Sequence, residues 1–213
     1  MQQGFHNEGQ EKNIREVKDM SNLNIQRIWA MPNKNTFSIL PIQNLISYHI
    51  LQKTLLKPVK IIDPFCNESP FKEKCISNDL DPSISADFHL DALEFIAQFN
   101  NNDIDMVLFD PPYSPRQVSE CYKKMNKTVN MQTTQSSFWS NLKKEISRVV
   151  KPNGITISCG WNSGGIGKKY GFKLIKVLLI PHGGWHNDTI VTVEIKEDSL
   201  TMRHPIQNGI KYV

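Results

Sequence analysis

The order of hydrophobic segments predicts an α/β fold, a mostly parallel sheet with helices on both faces that ends in an antiparallel hairpin. Three observations carry this expectation. Short β-type runs alternate with longer segments of helical period through most of the chain. The last two β-type runs are joined only by residues 181–188, too few for a helical crossover, so they must run antiparallel. Acids recur where the earlier runs end, and open parallel sheets bind ligands at the carboxyl ends of their strands.

The elements follow in order. Ile39 to Leu56 has apolar residues at Ile42, Leu45, Ile46, Ile50 and Leu51, a helical stripe with Pro41 in its first turn. Pro58 to Asp63 reads as a short strand ending on an acid, and Cys75 to Asp81 as a second strand with acids at its end. Leu90, Leu93, Phe95, Ile96 and Phe99 mark a helix before a strand at Asp105 to Phe109. Phe138 to Val150 carries Phe138, Leu142, Ile146, Val149 and Val150 on one helical face, and Lys151-Pro152-Asn153-Gly154 stops it. Ile155 to Cys159, Lys173 to Ile180 and Thr189 to Ile195 are the last strands.

Composition bounds the rest. With 213 residues, 39% hydrophobic, the chain suffices for one domain with a sizeable core and is short for two. Residues 1–22 are expected to form a flexible N-terminal tail, 23–200 a single domain and 201–213 a C-terminal tail. A net charge of +4 permits a polyanionic partner such as nucleic acid. No apolar stretch approaches the roughly 18 to 20 residues of a membrane span, and the polar start lacks a signal-peptide pattern, which predicts no membrane partner and a cytoplasmic location. Cys66, Cys75, Cys121 and Cys159 have no close pair, so they read as reduced thiols and argue against zinc; no metal is expected.

The chemistry centres on Asp110-Pro111-Pro112-Tyr113, directly after the strand. A ring-conjugated amine is a poor nucleophile, so alkylating it requires holding both N–H bonds and turning the lone pair toward the donor. The Asp110 carboxylate and the Pro111 carbonyl are two suitable acceptors. Serial prolines fix the carbonyl, and Tyr113 can lie flat against a base. A proline-rich turn is the bland reading of the same four residues. Carboxylates at three strand tips on one rim, Asp63, Asp79/Asp81 and Asp110, favour the catalytic one.

This arrangement resembles the class I S-adenosylmethionine-dependent methyltransferases, specifically the amino-methylating DNA enzymes with an Asp/Asn/Ser-Pro-Pro-aromatic motif, over residues 30–195. The resemblance implies a Rossmann-like seven-stranded sheet and S-adenosylmethionine as cofactor. It assigns Asp63-Pro64-Phe65 to the cofactor loop, Thr36 and Phe37 in Asn33 to Phe37 to the segment holding the donor's carboxylate, Asp79 or Asp81 to the ribose hydroxyls, and Asp91 to the adenine amine. On residue type alone, Asp79 and Asp81 also suit turn caps, and Asp91 a helix start. The family's cofactor loop continues Phe-x-Gly-x-Gly. Here it runs Phe65-Cys66-Asn67-Glu68-Ser69-Pro70 without glycine, and Asn67 is the residue best able to take a left-handed conformation.

Asp at the first motif position and Tyr at the last lean toward adenine N6 in DNA. No separate target-recognition domain is expected, which implies relaxed or short-site specificity, or a partner subunit or homodimer that supplies it. Lys123, Lys124 and Lys127, in an irregular stretch from Lys123 to Gln135, suit phosphate contact. By topology His182, Trp185 and His186, between the last two strands, face the substrate side, Trp185 either stacking on a base or covering the core. The alternatives are an rRNA base (adenine or guanine amino) methyltransferase and a catalytically degenerate nucleic-acid-binding subunit of the same fold.

Overall fold

The computed structural model describes residues 23–55, 57–125 and 136–198. Its seven-stranded sheet has the order β1-β6-β7-β5-β4-β2-β3, with β1 at Asn24–Arg27, β2 at Ile61–Asp63, β3 at Ile76–Ser77, β4 at Ile104–Phe109, β5 at Val150–Gly160, β6 at Phe172–Ile180 and β7 at Thr189–Lys196. All neighbouring pairs are parallel except β5/β7 and β6/β7. The fold is therefore the Rossmann-like, mostly parallel seven-stranded sheet with a C-terminal antiparallel hairpin that was expected.

The central strand β4 shows why helices cover both faces. Every residue of β4 is buried. Met106 and Leu108 point into one apolar cluster and Val107 and Phe109 into the other, as the two-residue period of a strand requires. Helix α1 (Leu40–Thr54) covers the first face with Ile42, Leu45, Ile46 and Ile50. Helices α2 (Ala92–Ala97), α3 (Pro115–Lys124) and α4 (Ser136–Val149) cover the second with Phe95, Ile96, Val118, Leu142 and Ile146.

Several details differ from expectation. The second strand ends at Ser77 rather than Asp81, because the Asp79 carboxylate takes the backbone N–H groups of Asn67 and Asp81 and turns the chain out of the ladder. Only an isolated parallel bridge, Asn78 to Phe88, continues the pairing outward. The Lys151–Gly154 turn is counted within β5, where the register shifts between Ile104 and Met106. A Cβ on Gly154 would lie 2.5 Å from Val150 Cγ1, so only glycine fits that bulge. The stretch expected to be irregular from Lys123 begins inside α3, so Lys123 and Lys124 close a helix. Lys127 and the rest of 126–135 lie outside the described residues, as do the two expected tails. Among the described residues no helix is long and apolar enough to cross a membrane.

Candidate active site

Asp63, Asp110 and the residues just after Ser77 stand at the carboxyl ends of three parallel strands, β2, β4 and β3, and so share one rim. The tetrapeptide leaves β4 there and enters α3, whose first turn is set by Pro115 and capped by Ser114, which accepts from Gln117 N–H at 3.3 Å. Three contacts fix its backbone and ring. Gln117 Oε1 accepts the Tyr113 N–H at 2.6 Å, Trp139 Nε1 donates to the Pro112 carbonyl at 2.9 Å, and the Tyr113 ring meets Trp161 edge-on at 5.6 Å. The Tyr113 hydroxyl donates to Oδ1 of Asp110. Among the described residues the Pro111 carbonyl accepts no hydrogen bond.

Burial pushes the Asp110 carboxyl above the ordinary range, against the opposing pull of hydrogen bonds from Tyr113 and Thr36. Burial, with Asp110 beside it, raises the Tyr113 phenol as well. Beneath the rim, Asp63 is fully buried. Its Oδ1 accepts the Phe65 N–H at 3.2 Å, and its Oδ2 has no partner. Burial, then the charges of Asp110 and Asp79, hold its carboxyl well above the usual range.

A cleft of about 450 Å³ opens beside the motif. It brings together Thr36, Pro64, Phe65, Asn67, Asp79, Asp81, Asp91, Asp110, Pro111, Pro112, Tyr113 and Lys124 from the expected set. Asn67, at φ +42, does take the left-handed conformation, and its N–H is fixed by Asp79 Oδ2 at 2.8 Å. The glycine-free loop thus keeps its shape through one asparagine and one carboxylate. Asp91 caps α2 by accepting from Leu93 N–H and also takes the Tyr122 hydroxyl. Asp81 binds the Ser83 hydroxyl at 2.6 Å and pairs with Lys124 at 3.1 Å; the Ser83 bonds and Lys124 pull its carboxyl down to about 2. Lys124 is therefore committed to an acid at the mouth of this cleft. Burial pushes the Cys66 thiol up to about 12, which keeps it protonated and inert as a nucleophile.

Other expected residues lie elsewhere. Phe37 is packed in the core against α1. Lys123 is exposed away from the cleft lining. His182 is buried, with Nδ1 against the Ala30 carbonyl and Nε2 against Thr189 Oγ1, both at 2.8 Å, so it ties the hairpin to the chain after β1 rather than facing the rim. Trp185 and His186 stand exposed in that loop, with Gly183 and Gly184 at positive φ; Trp185 does not cover the core. Among the described residues no three His, Cys, Asp or Glu side chains gather into a metal-sized cluster.

The residues that sequence reasoning passed over are chiefly clamps. Asn78 Nδ2 donates to the Pro64 and Leu90 carbonyls while its Oδ1 accepts the Leu90 N–H, holding the loop after β2 to the approach to α2. Tyr122 and Trp139 reach Asp91 and Pro112, distant in sequence, while Gln117 acts on the Tyr113 backbone four residues earlier, and no side-chain pattern marks such contacts. A second, smaller recess of about 80 Å³ lies on the other side of the tetrapeptide, lined by Pro111, Pro112, Tyr113, Trp161, Asn162 and Lys143 among others. Ser158 Oγ and Thr192 Oγ1, buried residues on its lining, have no hydrogen-bond partner. Pro111, Pro112 and Tyr113 thus form the wall between two compartments.

No family model and no curated protein sequence matches this chain. Among solved structures it is similar to a Burkholderia thailandensis 1,6-didemethyltoxoflavin-N1-methyltransferase with bound S-adenosylhomocysteine, at 9% identity and TM-score 0.48, covering 93% of this chain and 94% of that one. It is also similar to N-methyltransferase NodS from Bradyrhizobium japonicum, at 11% identity and TM-score 0.46 over 78% and 94% of the two chains. With TrmN from Thermus thermophilus it shares 16% identity at TM-score 0.44, covering 71% of this chain and spanning 48% of that protein.

Proposed function

We propose that this chain transfers a methyl group from S-adenosylmethionine to the N6 amine of adenine in DNA, with relaxed or short-site specificity. The observation that carries the reading is the position of Asp110-Pro111-Pro112-Tyr113 as a wall between a large acid-lined cleft and a small polar recess. Such a wall suits a reaction between two bound partners.

The cleft fits the cofactor on two grounds. Its volume lies within the range of small-molecule sites. Its surroundings also hold buried acceptors without partners, Asp63 Oδ2 and Asn35 Oδ1, beside Asp79, Asp81 and Asp91 on the lining. These residues, with Thr36, Phe65 and Asn67, would hold the group, which when bound supplies an electrophilic methyl on a sulfonium. The remaining work belongs to the chain. One amine N–H donates to the Asp110 carboxylate and the other to the unpartnered Pro111 carbonyl, which turns the nitrogen lone pair toward the cleft. Trp139 pins the adjacent Pro112 carbonyl, so the two acceptors keep their spacing. Tyr113 and Thr36 hold the Asp110 carboxylate, whose two oxygens have enough lone pairs to take the amine as well. The raised affinity of Asp110 for a proton suits it to take the one the methylated amine must lose.

Incubation with unmethylated DNA and labelled donor, followed by nucleoside digestion, tests this. Wild type is expected to yield N6-methyladenine, and Asp110→Ala to lose at least about 100-fold in rate. No N6-methyladenine on either duplex or single-stranded DNA defeats the substrate assignment, and a labelled base in ribosomal RNA in its place redirects it. Calorimetric titration with S-adenosylmethionine tests the cofactor separately, since absence of binding leaves only a nucleic-acid-binding role.

A further inference from the structure

The rim is chemically divided. Over β2 and β3 it is acidic, with Asp79, Asp81 and Asp91 on the cleft lining. Over the other half, β5 to β1, the rim segments 28–39, 160–166 and 181–188 contain one acid, Asp188, and its Oδ1 is occupied by the His182 N–H. That half instead carries tryptophan. Trp161 follows the end of β5, Trp185 sits in the loop after β6, and Trp29 follows the end of β1, which runs parallel to β6. They are 43%, 104% and 61% exposed, whereas an indole of ordinary structural purpose is largely covered. Trp29 is adjacent to the hairpin loop, its Nε1 lying 3.6 Å from where a Cβ on Gly183 would be. Neighbouring strands are about 4.8 Å apart, so the order β5-β7-β6-β1 sets the three indoles in a row leading away from Tyr113, against which Trp161 already packs.

We infer that this row is a stacking track for an unpaired polynucleotide strand, which makes single-stranded nucleic acid the preferred form of the substrate. The inference rests on the nucleic-acid reading of the site and adds the strandedness of the substrate and the residues that bind it. Indoles stack on any base without reading sequence, while phosphates require a surface free of unmatched acids. The β5-to-β1 half meets both needs, with Lys143 at the recess beside Trp161 and Lys34 exposed after β1. The acidic half would repel a phosphate chain, which confines the strand to the tryptophan side. An unpaired strand also presents its bases without the cost of flipping one out of a duplex.

The test uses the full chain and a labelled oligodeoxythymidylate of about twelve nucleotides, within the span of such sites. Its lack of adenine separates the track from the methylation pocket. Wild type is expected to bind it at least about tenfold more tightly than a hairpin duplex, with quenching of tryptophan fluorescence. Trp29→Ala and Trp185→Ala are each expected to weaken binding about tenfold with an unchanged salt slope, and Trp185→Tyr to recover part of the loss. Equal affinity for duplex and single strand, or unchanged binding in both alanine variants, overturns the inference. So does a change of oligomeric state in those variants without a change in oligonucleotide binding, which would assign the patch to a protein partner. Track binding without methyl transfer would instead defeat only the proposed reaction, and methyl transfer without track binding only this inference.

Discussion

Asp110 is the residue on which the proposed chemistry turns, and its environment sets a pH dependence. As an acceptor it must be ionised. Burial raises its pKa, so its carboxylate takes up a proton earlier on acidification than an exposed aspartate with a value near 3.9. The acid limb of kcat/KM for methyl transfer is therefore expected to lie above the ordinary carboxylate range; a rate flat down to about pH 4 would contradict the assignment. Asp110→Asn is expected to remove that limb and to lower kcat/KM by at least about tenfold, since the amide keeps one acceptor but cannot take a proton. Trp139→Phe probes the neighbouring peptide. Losing the 2.9 Å bond to the Pro112 carbonyl is expected to cost about 1 kcal/mol of stability in urea denaturation and to reduce kcat more than it raises KM.

At the scale of elements, the loop from β5 to β6 is held by one buried carboxylate on the antiparallel strand. Glu194 accepts from Ile166 N–H at 2.6 Å through Oε2 and from Gly167 N–H at 2.9 Å through Oε1. Gly165, at φ +46, passes so close that a Cβ would lie 2.2 Å from Glu194 Oε2. Trp161 and Asn162 of that loop line the recess beside Tyr113. Glu194→Gln keeps one acceptor and sets an amide against the other N–H. It is expected to cost about 1–3 kcal/mol in urea denaturation and to shift the emission of Trp161, measured in a chain where the other tryptophans are phenylalanine. An unchanged denaturation midpoint would show that Glu194 does not organise the loop. This element also marks where sequence reading stops. Strands β4 to β7 were readable as short runs rich in apolar and β-branched residues, and helices α1, α2 and α4 from apolar residues spaced near 3.6. Strand β1 was not, because all four of its residues are exposed and it pairs only at the sheet edge. Helix α3 buries only Val118 and Tyr122, too few for a stripe, although Ser114-Pro115 was an available start signal. The rim acids were visible because topology alone places strand ends together. The clamps Asn78, Gln117 and Trp139 were not, since each acts on a segment distant in sequence or through backbone groups.

Across the whole molecule, the buried carboxylates pull stability in opposite directions with pH. Burial pushes Asp105 up, but Lys151, the Lys60 N–H and Lys57 outweigh it and hold it low, so it contributes stability above its unfolded pKa that is lost as pH falls through its folded one. Asp63 has the reverse sign. Its folded pKa is raised well above the unfolded value, so the contribution is fully present below about 3.9 and is lost as pH rises through the folded value. Near neutrality the chain therefore carries an unpaired carboxyl in its interior at a cost to stability. Such a cost is expected of a group kept for ligand binding, because a cationic ligand in the cleft above would offset it. Asp63→Asn removes the charge and keeps an oxygen for the Phe65 N–H. It is expected to stabilise the folded chain by about 1–3 kcal/mol near pH 8, with the gain shrinking steadily toward pH 5, as measured by urea denaturation at each pH. A gain independent of pH would mean that Asp63 is not the titrating group, and a loss at pH 8 would mean that its carboxylate is paired in the native state. In the same variant, S-adenosylmethionine is expected to bind more weakly by calorimetry, so that stability and donor affinity move in opposite directions on one substitution.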